Sequence, residues 1–140
     1  MTIAENIAEI RQNVENARKK SPHPEQSVTL VAVTKNRTPE EINQVLAAGQ
    51  TILGENRVQE LMDKYDVIAP GATWHVIGHL QSNKVKYIAD KVALVHSLES
   101  QSLAKEIDRR MQALGHPMDC LVQVRSEERR VGKECRSRWS

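Results

Sequence analysis

Phenylalanine is absent from these 140 residues, and aromatics together make up 3% of the chain. Base-stacking platforms and carbohydrate clefts depend on aromatic faces, so neither is expected. Cysteine is scarce as well. Cys120 and Cys135 form no CxxC and are too few for a disulfide framework, so a reduced, cytoplasmic setting is expected. No apolar run approaches the roughly 20 residues of a membrane span. The opening stretch, MTIAENIAEIRQNVENARKK, carries acids and reads as neither a signal peptide nor an arginine-rich transit peptide. Neither charge sign dominates. The formal net charge of +2 makes no case for a nucleic-acid partner. No GxGxxG follows the first strand and no Walker loop is present.

What the chain does have is an alternation. An amphipathic helix comes first, with Ile3, Ile7, Ile10 and Val14 on one face and Thr2 with Glu5 as a capping box. Two prolines in KKSPHPEQS end it. Strand and helix patterns then take turns. VTLVAVT reads as a strand buried on both faces. TPEEINQVLAAG reads as a helix capped by Thr38, with Pro39 in its first turn, Glu41 completing the box and Gly49 as its stop. TILGEN is a short strand. RVQELMDKYDVI is a helix with Val58, Leu61, Met62 and Tyr65 inward. TWHVIG, VALVHSL and MDCLVQV supply three more strands, separated by SNKVKYIAD and SQSLAKEIDRRMQALG. The last of these helices shows Leu103, Ile107, Met111 and Leu114 on one stripe, stopped by Gly115.

Such alternation means βαβ units and a parallel sheet, hence an α/β fold. An open doubly wound sheet competes with a (β/α)8 barrel. The missing glycine loop disfavours the first. The second places functional groups at the C-terminal ends of strands. Lys35, Glu55-Asn56-Arg57, His79 and Ser97 all fall there. A full barrel takes roughly 250 residues. Five strands therefore read as a partial barrel, 1–124, whose two open sheet edges invite aggregation. Residues 125–140, RSEERRVGKECRSRWS, are arginine-rich, with only Val131 and Trp139 strongly apolar. They read as a surface tail, as a nucleic-acid or membrane-surface arm, or as a non-native, artefactual or disordered stretch. The last is preferred, because the stretch resembles vector-derived ends of unrelated proteins.

Four segments carry candidate chemistry. Lys35 is either a strand-end charge reaching water or an amine held for carbonyl chemistry. In GENRVQEL, Gly54 permits close approach, Asn56 can donate and accept, and Arg57 sits where the helix dipole slightly disfavours a cation. In WHVIGHLQSNK, His75 and His79 are four apart, but on a strand leaving into a loop. A metal site is therefore not expected, and His75 reads as a core or barrel-lining histidine. His79 and Gln81 lie where a ligand ring could rest. In VHSLES, Ser97 ends a strand and could touch a ligand, while Ser100 reads as a helix cap.

Taken together, VAVTKNRTPEEI, LGENRVQEL, WHVIGHLQSNKVKYI and VHSLES resemble the pyridoxal phosphate homeostasis proteins, the YggS or PROSC family. The resemblance runs from Met1 to about Val124. It implies a single-domain barrel of the alanine racemase N-terminal type, fold type III, that binds pyridoxal 5′-phosphate (PLP). By that resemblance Lys35 holds PLP as a Schiff base, and Asn56 and His79 line the cofactor pocket, with Ser97 beside them. No catalytic residue is implied. Members carry or regulate PLP without robust turnover, with PLP-dependent apoenzymes as partners and a monomeric full-length form. The alternative is a fragment of a racemase- or aldolase-like Schiff-base enzyme. The family's phosphate cradle comes from later strands, so weakened PLP binding is expected of this chain.

Overall fold

The computed structural model describes residues 1–124. The expected tail, 125–140, lies outside the described residues. Helix α1 spans Ile3–Lys20. It starts where expected, with Glu5 N donating to Thr2 Oγ1 at 3.1 Å and Thr2 N donating to Glu5 Oε2 at 3.3 Å. None of its residues is fully buried, and Ile10 is 46% exposed. Part of its attachment is polar: Arg11 donates to the Gln50 side chain at 2.9 Å.

Strands and helices then alternate as β1 (Ala32–Val33), α2 (Pro39–Ala47), β2 (Ile52–Glu55), α3 (Val58–Tyr65), β3 (Thr73–Val76), a 3-10 turn (Ser82–Lys84), α4 (Val85–Ile88), β4 (Val92–Leu98), α5 (Gln101–Leu114) and β5 (Asp119–Val122). The five strands form one sheet in the order β1-β2-β3-β4-β5, and every neighbouring pair is parallel. This order decides between the two architectures. A doubly wound sheet reverses its strand order at a switch point, whereas a barrel adds each strand beside the last. The fold is α/β and forms five consecutive strands of a (β/α)8-type barrel.

The ends of the helices follow local chemistry. Thr38 and Glu41 complete the capping box of α2, Pro39 occupies its first turn, and Gly49 follows at φ 89°. Ser100 caps α5 through the Leu103 amide, and Gly115, at φ 85°, ends it. The core lies between the helices and one face of the sheet. Leu53, Trp74, Val76 and Val95 come from strands; Ile42, Leu61, Ile88, Leu103, Ile107 and Met111 come from helices.

Several boundaries and faces differ from expectation. Strand β1 covers two residues rather than VTLVAVT, and Val28 and Val33 are 57% and 51% exposed. An edge strand has one neighbour to define it, and here the second face of the sheet is only partly covered. On α3, Tyr65 is exposed, while Lys64 faces inward with Leu61 and then Ile68. Leu114 is exposed too, one turn beyond the buried stripe of α5.

Gly54 shows how closely that second face packs where it is covered. A Cβ there would sit 2.9 Å from Val31 Cγ1 and 3.0 Å from Ile77 Cγ2. Both are β-branched side chains with little freedom to retreat. Gly54→Ala is expected to cost about 1–3 kcal/mol through overpacking. Urea unfolding measures it, and an unchanged midpoint would contradict this packing.

Candidate functional site

The C-terminal ends of β1 to β4 gather the chemistry-bearing residues. β1 hands over to a tight turn, Thr34–Arg37, in which Arg37 N donates to the Thr34 carbonyl at 3.2 Å. Lys35 is the first central residue of that turn and is exposed. Its ammonium makes no hydrogen bond or ion pair with any described residue. Asn36, the second central residue, has φ 59° and is the only described non-glycine residue with positive φ. Asparagine tolerates this conformation better than most residues.

Beneath the turn lies a buried ionic cluster. Lys64 Nζ donates to Glu55 Oε2 at 2.6 Å, to Glu60 Oε2 at 2.7 Å and to the Thr34 carbonyl at 2.5 Å. Thr34 Oγ1 donates to Glu55 Oε2 at 2.5 Å. Asn36 N donates to Glu60 Oε2 at 2.7 Å. Glu55 is fully buried, and its Oε1 finds no partner among the described residues. Burial opposes the charge on Lys64, but the Glu55 and Glu60 carboxylates outweigh it and raise its pKa. The Lys64 ammonium, then the Asn36 N–H, hold the Glu60 carboxyl below its ordinary value. The sequence pattern missed this cluster. Its signal was the i, i+4 spacing of Glu60 and Lys64 after an acid at a strand end.

Asn56 follows β2 and lies two residues beyond Gly54, just as Lys35 lies two beyond Val33, the registered partner of Gly54. Gly78 lets the next loop close on Asn56: a Cβ at position 78 would lie 3.0 Å from the Asn56 carbonyl oxygen and from its Oδ1. Ser97 is 2% exposed, and its Oγ donates to the Gly78 carbonyl at 2.6 Å. Its hydroxyl therefore holds the loop that carries His79. His79 is exposed and pairs through Nδ1 with Glu99. Asn56 and His79 line one cleft of about 420 Å³ together with Arg57, Gln81 and Lys84. Lys35 and Ser97 are not among the residues lining that cleft.

His75 is buried on the second face and meets His96, with Nδ1···Nε2 at 3.0 Å. Burial, and for His75 also the neighbouring His96, lower both imidazole pKa values below 6.5. The fold therefore favours the neutral rings, and the unfolded chain binds more protons as pH falls through 6.5. The lowered Glu60 carboxyl acts in the same direction below 4.5, where stability present at neutral pH is lost as the pH falls. Melting temperature is expected to decline in two stages on acidification. A flat profile between neutral pH and the carboxylate range would contradict the burial of the imidazole pair. Among the described residues, no group of three or more His, Cys, Asp or Glu is placed to hold a metal ion, and no helix is long and apolar enough to cross a membrane.

The alanine racemase N-terminal domain family matches residues 6–139. The chain belongs to this family. Relatives within it are pyridoxal phosphate homeostasis proteins. The one from Pasteurella multocida is 37% identical over 127 residues, covering 89% of this chain and 54% of the relative. The one from Aquifex aeolicus is 35% identical over 137 residues, covering 96% of this chain and 60% of the relative. Among solved structures, PipY of Synechococcus elongatus with PLP bound superposes with a TM-score of 0.76 at 37% identity, covering 89% of this chain and 55% of that one. The chain thus spans little more than half the length of these family members.

The residues at the strand ends suit PLP at its reactive end. An aldehyde needs an accessible primary amine that no carboxylate has claimed, and Lys35 is one. Lys64 is excluded by its three bonds. Asn56, with donor and acceptor atoms, and His79 line the cleft at the neighbouring strand ends. Arg57 and Lys84 bring positive charge to the cleft they share.

Proposed function

We propose that this chain is a PLP-binding protein of cofactor homeostasis, with residues 1–124 as the binding unit and the Lys35 amine as the point of covalent attachment. PLP supplies an aldehyde carbon and an electron-withdrawing ring when bound. The chain's own residues supply the amine and its placement. Asn56 and His79 flank the cofactor. Ser97 acts one step back, through the Gly78 carbonyl. The observation that carries the reading is the uncommitted Lys35 amine at the corner of a turn at the C-terminal edge of the sheet, in a chain similar to a protein solved with PLP bound.

The role proposed is carriage rather than turnover, in the cytoplasm, with PLP-dependent apoenzymes as recipients. A general acid or base must be free to move a proton. Glu60, the carboxylate at the Lys35 turn, is engaged by Lys64 and the Asn36 amide. Absorbance titration with PLP tests the reading. The band of lysine-bound PLP is expected to rise and to saturate, at an excess of PLP that reflects the weakened binding expected of this chain, with one PLP bound per chain. A rise without saturation, as surface lysines would give, would overturn it.

A further inference from the structure

The cluster under the Lys35 turn does more than fill a gap in the core. A β-turn with a negative φ at its first central residue and a positive φ at its second is of type II. Thr34–Arg37 fits that description, because only Asn36 among the described non-glycine residues has positive φ. Types I and II differ in the orientation of the central peptide. Here that peptide joins Lys35 to Asn36. In type II its N–H faces Glu60 Oε2, at 2.7 Å. Flipped toward type I, the peptide would turn its N–H away and bring the Lys35 carbonyl oxygen toward the same carboxylate. Oxygen would then face oxygen, with no proton between them.

The other end of the turn is held as firmly. The Thr34 carbonyl accepts from Lys64 Nζ at 2.5 Å as well as from Arg37 N. Lys64 in turn holds Glu60, at 2.7 Å. Two side chains one turn apart on α3 therefore grip the backbone on either side of Lys35.

We propose that Glu60 and Lys64 are positioning residues for Lys35: they hold the Thr34–Arg37 turn in its type II state and so fix the base of the lysine whose amine meets the cofactor. The proposal rests on the reading of Lys35 as the anchor, but the clamp itself is a property of the turn and is measurable without PLP. Glu60 touches no cofactor in this account. It acts through the Asn36 amide. The residue type at position 36 fits the same logic, since asparagine accepts the backbone conformation that the clamp demands.

Amide hydrogen exchange by NMR on the full 140-residue chain tests it, comparing wild type with Glu60→Ala and Glu60→Gln. Alanine suits the helix and leaves Lys64 bonded to Glu55 and the Thr34 carbonyl, so the fold is retained. Losing a charge-assisted acceptor is expected to speed exchange at Asn36 by about tenfold or more in Glu60→Ala. Amides of β2 and β3 should not change. Glu60→Gln keeps an oxygen acceptor and should fall between the two. An unchanged Asn36 rate in Glu60→Ala, or an equal acceleration at every amide, would overturn the clamp. A second measurement joins the clamp to the anchor. Borohydride trapping with PLP should give several-fold less adduct on Lys35 in Glu60→Ala than in wild type. Equal trapping in the two would overturn the positioning role. Absence of Lys35 adduct already in wild type would overturn the anchor instead, and the Asn36 rates would still decide the clamp.

Discussion

Lys35→Ala is expected to abolish the covalent attachment of PLP that survives borohydride reduction, while leaving the melting temperature unchanged. The first half follows from chemistry: without a primary amine at the turn, no stable carbon–nitrogen bond forms there on reduction. Labelling should fall to the background shared by the exposed lysines, a drop of at least about a hundredfold at the 35-containing peptide. The second half follows from exposure. Lys35 is open to solvent and makes no bond with the described residues, and such surface changes usually stay within about 0.5 kcal/mol. A variant that lost labelling only because it unfolded would show both effects together, and mass mapping alongside a thermal melt separates the cases. Unchanged labelling in a folded Lys35→Ala chain would remove the lysine from the account.

Lys64→Met should be the most damaging single change near the site. Lys64 is 7% exposed and Glu55 is fully buried. Removing the ammonium leaves the Glu55 carboxylate inside the protein without its counter-charge, and one of its oxygens already lacks a partner among the described residues. Breaking a buried pair in this way costs about 3–5 kcal/mol, a large part of what a domain this size has to lose. The penalty belongs to the stranded charge more than to the lost contact. The double variant Glu55→Met/Lys64→Met should therefore recover a substantial part of it. Urea unfolding of the two single variants and the double provides the cycle. A double variant as unstable as the sum of the singles would mean that the pair is not coupled.

Much of the fold was open to reading from local chemistry. The capping boxes at Thr2–Glu5 and Thr38–Glu41 and the glycine stop at Gly115 depend on a few adjacent residues, and they form as their sequences imply. So does the alternation that makes the sheet parallel. Lys64 was hidden for a physical reason. A periodicity argument counts apolar residues and places a lysine outside, yet this one is buried by carboxylates, one of them on a different element nine positions earlier. The pattern therefore turned α3 toward Tyr65, whereas the buried line runs through Leu61, Lys64 and Ile68. His75 was readable as a barrel-lining residue, but its partner His96, 21 positions away on the neighbouring strand, was not. Strand β1 was overextended because apolarity alone does not reveal an edge.

At the site, the strand-end locations of Lys35, Asn56 and His79 were legible, because the C-terminal ends of β1, β2 and β3 fall within one or two residues of where the sequence places them. What each residue does there was suggested by resemblance rather than by spacing. The ionic clamp beneath Lys35 came only from the structure. It joins residues of β2, α3 and the β1 turn that no local pattern connects.

The central claim is that one amine among many lysines is the attachment point. Its most direct test is to add equimolar PLP to the wild-type chain, reduce with borohydride and map the modified peptides by mass spectrometry. The account predicts one dominant adduct, on Lys35. Adducts spread over exposed lysines such as Lys19, Lys20 and Lys105, with none preferred at Lys35, would contradict it.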